Sequence, residues 1–215
     1  MKTVIFANGV LGARRQAVKC CRQAGLIIAV DGGIRHCEEL DIRPHVLLGD
    51  LDSASKSLVT RAEAAGTELQ RHPRDKDKTD LELALDLAAE RGSTEADLFA
   101  ALGGRWDMSL ANLFLPAMAA YRAMRVTIHD TRTRICLLRG GDRLKINEAP
   151  GSRVSLLPLN GPARGVTLAG FQYPLTNFDL EFGTTLGISN VLLEHPAGIT
   201  LEKGLLLCIV NSSPA

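Results

Sequence analysis

The chain has 215 residues, 46% hydrophobic and 23% charged, with 25 Lys and Arg against 24 Asp and Glu, a net charge of +1. This length holds one large domain or two small ones, and the composition is that of an ordinary globular protein. The charge balance excludes a global electrostatic footprint for nucleic acid or an anionic membrane, and no apolar stretch approaches the roughly 18 residues of a membrane span.

The amino end, "MKTVIFANGV", carries too short an apolar core for a signal peptide. Five cysteines, an odd number without a CxxC pair, point to buried thiols in a reducing compartment. A cytoplasmic protein without nucleic-acid or membrane partners is expected. The histidines show neither HExxH nor HxxxH spacing, so no zinc site is expected.

In chain order, "TVIFAN" (3–8), "LIIAV" (26–30), "HVLLG" (45–49), "DLFAAL" (97–102) and "RVTIHD" (125–130) read as strands, with "TELQRHP" as a further candidate. Helical spacing fills the gaps: "ARRQAVKCCRQAG", "IRHCEEL", "SLVTRAEAAG", "DLELALDLAAERG" and "DMSLANLFLPAMAAYRAM". Near-continuous apolar strands alternating with helices predict a Rossmann-like parallel sheet covered on both faces. From about residue 132 the pattern changes to short runs punctuated by Gly, Pro, Asn and Asp, which predicts a small all-β sandwich or barrel. The expected domains are an α/β unit over 1–135 and an all-β unit over 136–215.

Ligands of open parallel sheets bind outside the carboxyl ends of the strands. The polar clusters fall there: Asn8-Gly9, Asp31-Gly32-Gly33, Asp50-Leu51-Asp52-Ser53 and Gly103-Gly104-Arg105-Trp106-Asp107. Along extended backbone, residues i and i+2 share a side, so Asp50 and Asp52 are expected to face one way and to need a cation between them. Asp80 opens a helix behind Asp77-Lys78-Thr79. Thr79 with Glu82 also forms a capping box there, which by itself accounts for Asp80. Each cluster has a plain alternative: a tight turn at Asp31-Gly32-Gly33, a helix cap at Asp50 to Ser53, and a solvated charge run in "RDKDK". "GVLGARR" lacks the third glycine of a dinucleotide fingerprint, and no GxxxxGK[ST] occurs. Together, acids at neighbouring strand and helix ends with glycine-rich backbone beside an arginine suit Mg²⁺ carrying a nucleotide.

These motifs resemble those of the thiamine pyrophosphokinase family: a D-G-G turn, a G-D-x-D-S loop, a D-x-x-T-D segment and a G-G-R-x-D-H loop, then an S-N pair and a K-G-x-L strand in a β-domain. Here they are Asp31-Gly32-Gly33, Gly49 to Ser53, Asp77 to Asp80, Gly103 to Asp107, Ser189-Asn190 and Lys203 to Leu206, with Met108 where the family commonly has His. The resemblance implies a homodimeric, Mg²⁺-dependent, ATP-using pyrophosphokinase with the thiamine site near the subunit interface. It implies that Asp50, Asp52 and Asp80 hold the metal, with Asp52 and Asp80 central to catalysis. It also implies that Asn8, Asp31, Gly32, Gly33, Gly104, Arg105 and Asp107 line the ATP site, and that Ser189 and Asn190 serve thiamine. A pyrophosphokinase for another alcohol, such as a hydroxymethylpterin, and a non-catalytic nucleotide or thiamine sensor are the alternatives.

Overall fold

The computed structural model describes residues 1–213. The chain divides into two compact units, Met1–Thr131 and the segment from Arg132 onward.

The first unit is built on six parallel strands: β1 (Lys2–Phe6), β2 (Leu26–Val30), β3 (Val46–Gly49), β4 (Glu68–Arg71), β5 (Glu95–Phe99) and β6 (Arg125–Asp130). Every residue of β2 and β3 is buried, as expected of strands covered on both faces, whereas the edge strand β4 is polar and partly exposed. The spatial order is β4-β3-β2-β1-β5-β6. The chain therefore winds outward from β1 to β4, returns to lay β5 on the other side of β1, and so reverses direction between β1 and β5. That reversal is where open α/β sheets form their binding crevice.

The helices are α1 (Arg14–Cys21), α2 (Ile34–Glu39), α3 (Lys56–Ala64), α4 (Asp80–Glu90) and α5 (Trp106–Phe114). Helix α4 buries Leu81, Ala84, Leu85 and Ala88, one stripe at helical spacing, and its start is capped by Thr79 Oγ1 accepting from Glu82 N at 3.2 Å. The helical run expected over 107–124 stops early. Helix α5 ends at Phe114, and short 3₁₀ turns follow at Leu115–Ala117 and Ala119–Tyr121, separated by Met118 in an extended conformation. Pro116 supplies no N–H to continue the α-helical ladder.

The second unit contains only strands among its described residues: β7 (Thr133–Arg139), β8 (Arg143–Ile146), β9 (Arg153–Ala169), β10 (Leu175–Leu180), β11 (Asn190–Val191), β12 (Ala197–Thr200) and β13 (Lys203–Asn211). The sequence reads as two runs around "NGP", but β9 is one strand of 17 residues. Asn160 (φ 56°) and Gly161 (φ 115°) bend it without ending it. Its first half pairs with β13 and its second half with β10 and β12, so one strand serves two sheets. Val154, Leu156, Leu180, Ile199, Leu206 and Val210 fill the space between. Among the described residues no helix is long and apolar enough to cross a membrane.

Candidate active site

A cleft of about 630 Å³ opens at the carboxyl ends of β1 and β5, where the strand order reverses. Backbone bonds from Ala7 N to Phe99 O (2.9 Å) and Gly9 N to Ala100 O (2.8 Å) hold the two strand ends together at its floor. Asn8 lines the cleft and is clamped by Arg35, which donates to Asn8 Oδ1 (2.5 Å), Asn8 O (2.8 Å) and Gly9 O (2.9 Å).

Asp31 also lines the cleft, at positive φ (47°) in a 3₁₀ turn, and its Oδ1 accepts from Leu51 N at 3.0 Å. Gly32 and Gly33 do not face the cleft. They are buried beneath it, and a Cβ on either would collide with Asn8 Oδ1 or Phe6 O. Their role here is close packing of the β2–α2 turn on the end of β1.

Asp50 lines the cleft, but Asp52 is exposed and lies outside its lining. The shared orientation expected of the two carboxylates depends on extended backbone, and the chain is not extended there. Leu51 adopts a left-handed conformation (φ 63°), and Asp52 N donates back to Asp50 Oδ1 at 2.9 Å, closing an Asx turn.

Asp80, the first residue of α4, faces the same space. Lys76 Nζ lies 2.9 Å from Asp80 Oδ1, with side-chain exposures of 13% and 18%. Burial, followed by the nearby Asp80 and Asp50 charges, pushes Asp31 up to about 6 against the opposing Leu51 N–H. A carboxylate raised first by burial and further by two acidic neighbours is a place where added positive charge is stabilising. The all-oxygen donor set of Asp31, Asp50 and Asp80 fits a hard divalent cation such as Mg²⁺.

The rest of the lining is cationic and glycine-rich. Gly103 (φ 97°) and Gly104 (φ 74°) turn the chain after β5, and Arg105 follows them into the lining. The Arg105 guanidinium is paired with Asp107, through Nε to Oδ1 at 3.2 Å and a second, shorter contact. Asp107 itself is exposed and does not line the cleft. Arg35, Arg74, Lys76, Lys78, Met108 and Asn112 join the lining, and Asn112 Nδ2 donates to Ala101 O at 2.7 Å. Arg35, Arg74, Lys76 and Asn112 are not apparent as site residues in the sequence. Asn112 sits one helical turn beyond Met108, a spacing that marks a shared face. The orientation of Lys76 has no local signal.

In the second unit Ser189 is exposed, at φ 58°, with its N–H donated to Ser155 Oγ at 3.0 Å. Asn190 is buried. Its Oδ1 accepts from Tyr173 N (3.0 Å) and Val191 N (2.9 Å), and its Nδ2 donates to Tyr173 O (2.7 Å). The amide of Asn190 is thus engaged with backbone on both ends.

A separate buried cluster joins Cys20, Asp97 and His129, whose donor atoms lie within 4.8 Å of one another. His129 Nε2 is 2.7 Å from Asp97 Oδ1, and Lys2 Nζ is 2.8 Å from Asp97 Oδ2. Both carboxylate oxygens already face cationic or N–H partners, so this cluster is a self-contained charge network.

A doubly wound parallel sheet with a polar crevice at its order reversal defines the class: a Rossmann-like α/β protein, here followed by an all-β unit. Two family models match in the same order, "Thiamin pyrophosphokinase, catalytic domain" over residues 17–128 and "Thiamin pyrophosphokinase, vitamin B1 binding domain" over residues 143–206. The thiamine pyrophosphokinase of Bacillus subtilis is 32% identical over 210 residues, covering 97% of this chain and 98% of its own. Thiamine pyrophosphokinase 1 of Arabidopsis thaliana is 27% identical, covering 78% of this chain and 65% of its own. Among solved structures, the Bacillus subtilis enzyme superposes with a TM-score of 0.87 at 28% identity, and a family protein from Enterococcus faecalis with 0.86 at 25%, each over 100% of both chains. The chain belongs to the thiamin pyrophosphokinase family.

Proposed function

We propose that this chain transfers the pyrophosphoryl group of ATP to the hydroxyl of thiamine, giving thiamine diphosphate and AMP. The observation that carries this reading is one cleft at the β1/β5 reversal lined by Asp31, Asp50 and Asp80 together with Gly103, Gly104 and basic side chains. It stands in a chain matched by both the catalytic and the vitamin B1 binding models of the family. The vitamin B1 match disfavours a hydroxymethylpterin acceptor. The retained acids disfavour a non-catalytic sensor.

Asp50 and Asp80 would hold Mg²⁺, with Asp31 completing the acidic wall and Asp52 added by resemblance to the family. That ion would supply positive charge to offset the charge of the phosphates. The space beside Gly103 and Gly104 is open, so a phosphate oxygen would reach the Gly104 N–H without meeting a Cβ, while the Gly103 N–H is held by Ser109 Oγ at 3.2 Å. Arg105 offers a forked contact once its guanidinium leaves Asp107. Asn8, held rigid by Arg35, fixes the floor against which the nucleotide lies. The thiamine oxygen attacks the β-phosphorus, the bond between that phosphorus and the oxygen bridging to the α-phosphorus breaks, and AMP departs. Alignment and charge compensation supply most of the acceleration in such transfers. A carboxylate of the cluster accepts the hydroxyl proton.

Thiamine recognition falls to the second unit through Ser189, with Asn190 shaping the turn that carries it. We assign a cytoplasmic homodimer. The five free cysteines support a reducing compartment, and exposed Tyr173, Phe178, Phe182, Leu186, Ile188 and Leu193 in the second unit support a covered surface. The deciding experiment measures AMP release from ATP and Mg²⁺ with thiamine or a hydroxymethylpterin as acceptor. AMP formation with thiamine alone is expected. Release with the pterin alone would overturn the substrate assignment, and no release with either would overturn the enzyme assignment.

A further inference from the structure

Lys76 belongs to "RDKDK", a run that resembles a solvated charged surface, yet its side chain is only 13% exposed. Its ammonium lies 2.9 Å from Asp80 Oδ1 and donates to Pro73 O at 3.0 Å, inside the lining of the cleft. The neighbouring Lys78 behaves differently. Its side chain is 47% exposed and pairs with Asp86 at 2.6 Å along the flank of α4. Both lysines border the cleft, but only Lys76 is held against Asp80, whereas Lys78 is drawn along α4 to Asp86.

The Lys76 ammonium at contact distance and a divalent cation compete for Asp80. Two cations at one oxygen repel, and the oxygen has limited lone-pair directions. A lysine head on a four-carbon stem can move several ångströms without backbone change. The Gly103-Gly104 turn and Arg105 line the same cleft, so a polyphosphate seated there would offer Lys76 a new anionic partner.

We propose that Lys76 is an exchangeable counter-ion of the active site. Without nucleotide it neutralises Asp80; when a metal–nucleoside triphosphate enters, Lys76 yields Asp80 to the metal and pairs with a phosphate oxygen. This rests on the pyrophosphokinase reading and adds a residue to it. The exchange makes and breaks only ionic contacts, so it involves no covalent step at Lys76. It also prevents the acidic wall from standing unneutralised before substrate arrives, where Asp31 already feels Asp80 and Asp50.

The test is titration calorimetry on the full chain with two probes, Mg²⁺ alone and α,β-methylene-ATP with Mg²⁺, comparing wild type, Lys76→Met and Lys76→Arg. Removing the competing ammonium should tighten Mg²⁺ binding in Lys76→Met, while the triphosphate analogue weakens by about tenfold, the size of one charge-assisted hydrogen bond. AMP affinity should change less than twofold, and Lys76→Arg should restore most of the analogue affinity. A purely structural lysine would weaken both probes or neither, and either result overturns the proposal. Should Lys76→Met fail to fold by circular dichroism, Lys76→Gln gives the same comparison. Failure of the wild type to bind the analogue at all would sink the pyrophosphokinase reading itself, an outcome distinct from a wild type and a variant that bind equally.

Discussion

Gly49 lies against Asp31 so closely that a methyl group at position 49 would overlap Asp31 Oδ1, the atom that accepts from Leu51 N at 3.0 Å. Gly49 also has φ +138°, a region disfavoured for residues with a Cβ. The end of β3 and the acid that follows the neighbouring strand β2 thus fit only through a missing side chain. Gly49→Ala is expected to lower stability by about 2 kcal/mol or more and to displace Asp31, with a large fall in turnover. Thermal unfolding and steady-state kinetics check this. Wild-type values for both would show that the β3 end is not constrained by Asp31.

Asp80 separates a capping role from a chemical one. Thr79 already caps α4 through Glu82 N, so Asp80→Asn should leave the helix start in place. Turnover should fall by more than about a hundredfold, because the substitution removes a charge that the metal and Lys76 both use. A modest loss of stability with normal turnover would instead assign Asp80 to the helix alone.

Ser189 and Asn190 should part company. Asn190 binds Tyr173 through both its N–H and its C=O, and Asn190→Ala removes a buried amide and leaves those part-buried backbone groups unpaired. A loss of about 2 kcal/mol in unfolding free energy is expected, with substrate effects following from it. Ser189→Ala should keep the melting temperature and raise the KM for thiamine far more than that for ATP. Equal shifts in both KM values would remove Ser189 from thiamine recognition.

The Asp97 network sets an acid limit. Burial alone would raise the Asp97 pKa, but the hydrogen bonds from His129 and Lys2 outweigh it and hold the carboxyl below its usual range. A depressed carboxyl stabilises the fold above the ordinary aspartate value of about 3.9, and that contribution disappears as pH falls below it through the lower folded value. Asp97→Asn should cost about 3 kcal/mol at neutral pH, since it leaves Lys2 without its buried partner. The gap between variant and wild type should close as the pH drops below about 3.9. Urea unfolding across a pH series measures it; a gap independent of pH would mean that the charge on Asp97 is not what stabilises the site.

The sequence by itself determined the elements whose signals are local. The runs "LIIAV" and "RVTIHD" emerge as β2 and β6 with the same bounds: the first because burial on both faces demands unbroken hydrophobic residues, the second through alternating apolar Val126 and Ile128. Thr79 and Glu82 mark the start of α4 because capping acts within one turn. The order of polar loops along one sheet edge was also legible, since parallel winding places every strand's carboxyl end on the same side. Tertiary structure decided the rest. Leu51 turns left-handed and separates Asp50 from Asp52, an outcome that alternation along a strand does not contain. The "NGP" in β9 bends a strand that continues, because partners on both sides, β13 and then β10 and β12, hold it extended through the bend. Lys76 packs against Asp80 and Lys78 reaches Asp86 instead, although both stand in one charged run. The physical reason is that periodicity and propensity describe regular backbone. They do not say which of several nearby groups a side chain takes, as Lys76 takes Asp80 and Lys78 takes Asp86, nor which distant group fixes a turn or a strand, as Asp31 holds Leu51 and β13 holds β9.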